Sequence, residues 1–133
     1  MTIHPFIQDS PDELRTLLYE LIHDPTTESI WLIGSRANSS ATATSDWDFL
    51  VFSNIEPSYV AQGQADVDLL RVGPSGRLLT DGGCEREFRD FDWKLIDDRR
   101  ASYFGAKKCR PGLQNVSESA LERSVAFLVY RNV

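Results

Sequence analysis

Asp46 and Asp48 alternate with Trp47, Phe49 and Val51, and no other stretch constrains the fold of this chain as tightly. In a strand, residues two apart share a face, so both carboxylates point one way, about 6.5–7 Å apart along the backbone. The apolar residues of opposite parity point into a core. That pins the register, because a slip of one residue would exchange the two faces. A strand over residues 46–52 with an acidic face is the expectation.

Upstream, Ser29 to Ile33 reads as a short buried strand broken by Gly34. A glycine there lets the backbone approach a ligand closely, and Ser35 adds a hydroxyl donor at the start of the next segment. Ten residues, 36 to 45, then separate Ser35 from Asp46, enough for a short helical turn or loop that returns the chain to the sheet. Sites that handle phosphate need backbone donors for its oxygens and carboxylates for the magnesium that accompanies a nucleotide. Both needs are met here in outline.

The remaining pattern is read around this pair of strands. Ser10-Pro11-Asp12-Glu13 has the form of a capping box with Ser10 at the N-cap. Leu14, Leu17, Leu18, Leu21 and Ile22 follow at the spacing of one helical face, up to Asp24-Pro25. Asp66 to Val72 is a further strand, and Gly73-Pro74-Ser75-Gly76 turns it back onto Arg77 to Thr80 as a hairpin. Phe88 to Ile96 alternates as an amphipathic strand with Phe91, Trp93 and Leu95 on one side, and Ala101 to Ala106 is expected to pair with it. A C-terminal helix opening at Ser117 or Ser119 carries Leu121, Val125, Leu128 and Val129 as its stripe. These expectations add up to one α/β (α+β) domain, residues 1–133, on a mixed sheet.

Composition narrows the function classes. A net charge of −6 and a pI near 4.8 argue against a broad nucleic-acid groove, whose affinity comes from Lys and Arg on phosphates. Cys84 and Cys109 form neither a CxxC pair nor a disulfide framework, which fits a reduced, cytoplasmic setting. No leader and no membrane span are read in the sequence.

Competing motifs carry less. His4 and His23 are the only histidines, each near a Pro or Asp in a polar setting, so a Ser-His-Asp hydrolase or a histidine zinc site has little to stand on. There is neither a P-loop nor a Rossmann glycine motif. Arg99-Arg100 and Lys107-Lys108 read as solvated charge clusters, and Trp31, Trp47 and Trp93 as core residues rather than a base-stacking platform. DxD recurs at Asp66/Asp68 and Asp90/Asp92, but only Asp46/Asp48 follows a strand and a Gly-Ser step.

Gly34-Ser35-Arg36-Ala37 followed by Ser45-Asp46-Trp47-Asp48-Phe49-Leu50-Val51 resembles the GSRA…SDxDhhV signature (h, apolar) of the DNA polymerase beta-like nucleotidyltransferase superfamily, most of all its minimal single-domain members. The chain departs from the family over Asn38 to Thr44, which lacks the glycine and basic residue often found there. The resemblance implies that superfamily's fold, a mixed sheet with helices packed mainly on one side. It also implies transfer of a nucleoside monophosphate, AMP from ATP being the expected case, to a small-molecule or protein acceptor. Two Mg²⁺ ions, or Mn²⁺ in their place, would be held by Asp46, Asp48 and a third carboxylate, with Gly34, Ser35 and Arg36 on the nucleotide's phosphates. Several minimal members act beside a helical toxin as the antitoxin that modifies it. The alternative is a catalytically idle nucleotide-binding or partner-binding domain, such as an antitoxin-like component.

Asp66, Asp68, Asp92 and Asp97 compete for the third carboxylate. Asp66, Asp68 and Leu70 share a parity that repeats the Asp46, Asp48, Leu50 face, and Asp68 lies further inside its strand. Val67-Asp68-Leu69 also matches the apolar-Asp-apolar setting of the family's third carboxylate, so Asp68 is the choice for catalysis and metal binding.

Overall fold

The computed structural model describes residues 10–34, 36–38, 46–58, 67–80, 85–104 and 123–132. Its helix, α1 (Asp12–His23), buries Leu14, Leu18, Leu21 and Ile22 of the stripe read from sequence and leaves Leu17 half-buried. It starts one step later than the capping box implied, with Pro11 in the N-cap position, extended at φ −54° and ψ 149°. Asp24 ends it, accepting from the Thr26 N–H at 2.9 Å and the Thr26 hydroxyl at 2.7 Å. That turn leads straight into the sheet.

The strands are β1 (Thr27–Ile33), β2 (Trp47–Ser53), β3 (Val67–Val72), β4 (Arg77–Thr80), β5 (Glu85–Glu87), β6 (Lys94–Leu95), β7 (Arg100–Phe104) and β8 (Arg123–Arg131). They form one sheet in the order β5-β4-β3-β2-β1-β8-β7-β6. β2 and β3 run parallel, and every other described pairing is antiparallel. The expected α/β fold, with several helices on one side of a mixed sheet, is therefore corrected: the described residues make a curled, half-barrel sheet with one α-helix. No helix among them is long and apolar enough to cross a membrane.

A short connection explains the curl. Only residues 88–93 join β5 to β6, which lie at opposite edges of the sheet. Fully extended, such a link reaches ~25 Å at most. Eight flat strands would set those edges ~34 Å apart. The edges must bend toward each other, and the link crosses the concave side. A 3-10 turn, Phe88–Phe91, stands where a strand was expected, and Asp92 follows in the left-handed region at φ 46°. Alternation misled here because the aromatic residues fill the mouth of the half-barrel instead of lining a strand. Phe91 is buried and Trp93 half-buried, whereas Leu95 is 63% exposed.

Two cores result. On the convex side α1 covers Ile30, Leu32, Phe49, Val51, Val67 and Leu69. On the concave side Trp31, Ile33, Leu50, Leu70 and Val72 meet Phe91, Tyr103 and the partly buried Phe52, Phe88 and Trp93. Trp31 and Trp93 meet edge to face at 5.1 Å between centroids, as do Phe52 and Phe88, an arrangement the ring quadrupoles favour. Ala101 and Ala126 face each other at full burial, leaving room for these rings. Central strands thus bury both faces, and Ile30-Trp31-Leu32-Ile33 is apolar without interruption for that reason.

Over Arg123–Arg131 the expected C-terminal helix is instead strand β8, inserted between β1 and β7, while Ser117, Ser119 and Leu121 lie outside the described residues. Its pairing shifts register: Ile30 faces Tyr130, but Trp31 faces Leu128. Val129 is the extra residue of a bulge, which swaps parity. Ala126 and Leu128 then serve the concave core, while Val129 and Tyr130 serve the convex one. A bulged strand buried on both faces spaces its apolar residues three and four apart, as a helix does.

The hairpin read at residues 73–76 is present, with Gly76 at φ 87° and Leu70 paired to Thr80. Glu56 fastens it by accepting from the Ser75 N–H and hydroxyl, both at 2.8 Å.

Candidate carboxylate site

The site is built where β1 ends and β2 and β3 begin. Asp48 and Asp68 are each the second residue of their strands and are direct register partners. Neighbouring strands lie ~4.8 Å apart, so their carboxylates are adjacent on one face of the sheet. That is the concave face, shared with Leu50 and Leu70. Both aspartates are half-buried, while Asp46, one residue ahead of β2, is exposed.

Gly34 closes the site from the third strand. Its φ is 75°, and a Cβ built on it would run into the Asp48 carboxylate, with Asp48 Cγ at 3.1 Å and Cβ at 3.2 Å. Glycine is thus required here twice, by its dihedral and by the side chain leaning on it. Its N–H donates to the Tyr103 hydroxyl at 2.9 Å, and its carbonyl accepts from the Ala37 N–H at 3.1 Å and Asn38 Nδ2 at 2.7 Å. Asn38 Oδ1 in turn accepts the Val125 N–H of β8 at 2.9 Å. The turn after β1 is therefore tied to β7 and β8 as well as to β2.

Tyr103 is the titratable group this packing perturbs. Burial pushes its phenol above the ordinary value, and the nearby Asp48 charge adds to the shift, against hydrogen bonds with Gly34, Ser124 and Asn38. It stays neutral.

The chain matches no protein-family model, no curated protein and no solved structure.

Arg36 lies over Trp47. Its guanidinium is 4.0 Å from the Trp47 ring centroid, and Trp47 packs on the convex core. Asp92 is bound to Arg123 and Lys94, and Asp97 to Arg100, and neither lies on the strands that carry Asp48 and Asp68. His23 donates from Nδ1 to the Tyr19 carbonyl at 2.7 Å. Arg99-Arg100 sits at the β6–β7 turn, where Arg99 N–H donates to Asp97 at 2.9 Å. Ser35, Ser45, Asp66, Cys84, Cys109, His4 and Lys107-Lys108 lie outside the described residues.

Among the described residues no group of three or more His, Cys, Asp or Glu side chains is gathered to hold a metal. Two adjacent carboxylates still suit a hard cation. Mg²⁺ is commonly held by one or two carboxylates together with substrate phosphates, not by an all-protein cage. Tyr103 and Asn38 were not singled out in the sequence. A tyrosine on the inward parity of Ala101-Ser102-Tyr103 was the available signal, since a buried phenol needs a hydrogen-bond partner.

Proposed function

We propose that this chain is a metal-dependent nucleotidyltransferase, moving a nucleoside monophosphate, AMP from ATP in the expected case, to a small-molecule or protein acceptor. The observation that carries the reading is the register pairing of Asp48 with Asp68 beside Gly34. It fits the resemblance of residues 34–51 to the nucleotidyltransferase signature. In the transfer, an acceptor oxygen bonds to the α-phosphorus, the bond to the β-phosphate oxygen breaks, and pyrophosphate leaves with that electron pair. Asp48 and Asp68 would hold divalent cations, with Asp46 at the rim, and Asp68 would take the acceptor's proton. When bound, Mg²⁺ or Mn²⁺ offsets the charge of the triphosphate and of the reacting oxygens.

A second reading, nucleotide or partner binding without turnover, draws on one observation. The Gly34 N–H is donated to Tyr103 and is thereby withdrawn from a phosphate. ATP labelled at the α-phosphate, incubated with the protein and Mg²⁺, alone and in lysate of its source, separates the two. Label transferred by the native chain but not by Asp48→Asn supports transfer. ATP binding with no transferred label identifies the idle domain, and ATP binding unchanged by EDTA would sink the metal-dependent transferase reading.

A further inference from the structure

Tyr103 reaches the carboxylate site from β7, two strands away from β1 in the sheet. Its ring is 2% exposed, stacked on Phe91 at 6.2 Å between centroids and beside Trp93 at 6.1 Å, so the hydroxyl has little freedom. That hydroxyl accepts the Gly34 N–H at 2.9 Å, while Asn38 Nδ2 grips the Gly34 carbonyl at 2.7 Å. Gly34 is thus held from both ends by residues anchored in β7 and β8. Asp48 packs directly against Gly34, where not even a Cβ fits. Any movement of that backbone is transmitted to the Asp48 side chain.

We propose that Tyr103 is a positioning residue for the carboxylate site, its hydroxyl fixing Gly34 and, through Gly34, the orientation of Asp48 toward a divalent cation. The inference rests on the nucleotidyltransferase reading and adds to it a residue from the far half of the sheet. Groups that orient a metal-binding side chain without touching the metal typically govern affinity by about 10–100-fold.

Tyr103→Phe keeps the ring stack and removes only the hydroxyl. Phe91→Leu removes the stack and keeps the hydroxyl, so it reports general loosening of the concave core. Mn²⁺ binding to each chain is followed by the electron-spin signal of the free ion, and the Gly34 amide by its ¹H–¹⁵N resonance. The expected result is an upfield shift of the Gly34 amide proton in Tyr103→Phe with Mn²⁺ affinity about ten-fold weaker, and native affinity in Phe91→Leu. Native affinity in Tyr103→Phe overturns the positioning role and leaves the Asp48–Asp68 site standing. Equal losses in the two variants overturn it as well, since loosening alone would account for them. A native chain that binds no Mn²⁺ overturns the positioning role, and one that binds none with ATP present overturns the functional reading as well.

Discussion

Asp48 and Asp68 face each other directly across β2 and β3, the one parallel pairing among the described strands. An antiparallel neighbour would run the chain the other way. Here both strands start at the same end of the sheet, so residues second in each strand meet at one rim, beside the end of β1.

Like charges directly opposite on paired strands are destabilising, by about 0.2–1 kcal/mol. Asp68→Asn is therefore expected to raise stability by about that amount in metal-free buffer and to abolish Mg²⁺-dependent ATP binding. Urea unfolding in EDTA and calorimetry with ATP measure the two effects. A lower urea midpoint would make Asp68 a structural residue.

Gly34→Ala meets two penalties. A left-handed backbone costs a residue with a Cβ about 1–2 kcal/mol, and that Cβ collides with Asp48. The collision predicts coupling: adding Asp48→Ala should restore part of the lost stability, the remainder being the backbone term. Strictly additive changes in a double-mutant cycle would show that the two residues do not press on each other.

Acid should loosen the clasp between the β6 and β8 ends. The Arg123 hydrogen bond, with Lys94 nearby, holds the Asp92 carboxyl below its ordinary value of 3.8. Arg123 also donates to the Asp92 carbonyl and the Ser102 hydroxyl, at 2.8 and 2.9 Å. A depressed carboxyl stabilises the fold above its unfolded value, and that contribution disappears as pH falls through the folded value. The thermal midpoint of Asp92→Asn should decline less than that of the native chain below pH 3.8. Parallel declines would remove Asp92 from the acid response.

Tyr103 sets the opposite limit. Its phenol is raised above 10.0 by burial first and by Asp48 second, so the folded state holds the proton more firmly than the unfolded chain. The stability this contributes is intact below pH 10.0 and is lost as pH rises through the folded value. Ultraviolet titration should show one of the four tyrosines ionising last. In Tyr103→Phe the alkaline loss of stability should be shallower, and an unchanged slope would assign that loss elsewhere.

The sequence by itself determined the local pieces whose periodicity is clean: α1 through its leucine stripe, β1 to β4, and the turn at residues 73–76. It also determined that Asp48 and Asp68 sit at matching points of alternating strands, because parity is a property of the chain alone. Tertiary structure decided what those strands neighbour. β8 read as a helix because its bulge breaks the two-residue period, and a bulge exists only against the partner strand it accommodates. Phe88 to Trp93 read as a strand because the need to span a curled sheet in six residues, 88–93, is not written in any local pattern. The contact of Tyr103 with Gly34 joins residues 69 apart in sequence. Only the order β1-β8-β7 and the curl of the sheet bring them together, and no spacing rule reaches that far.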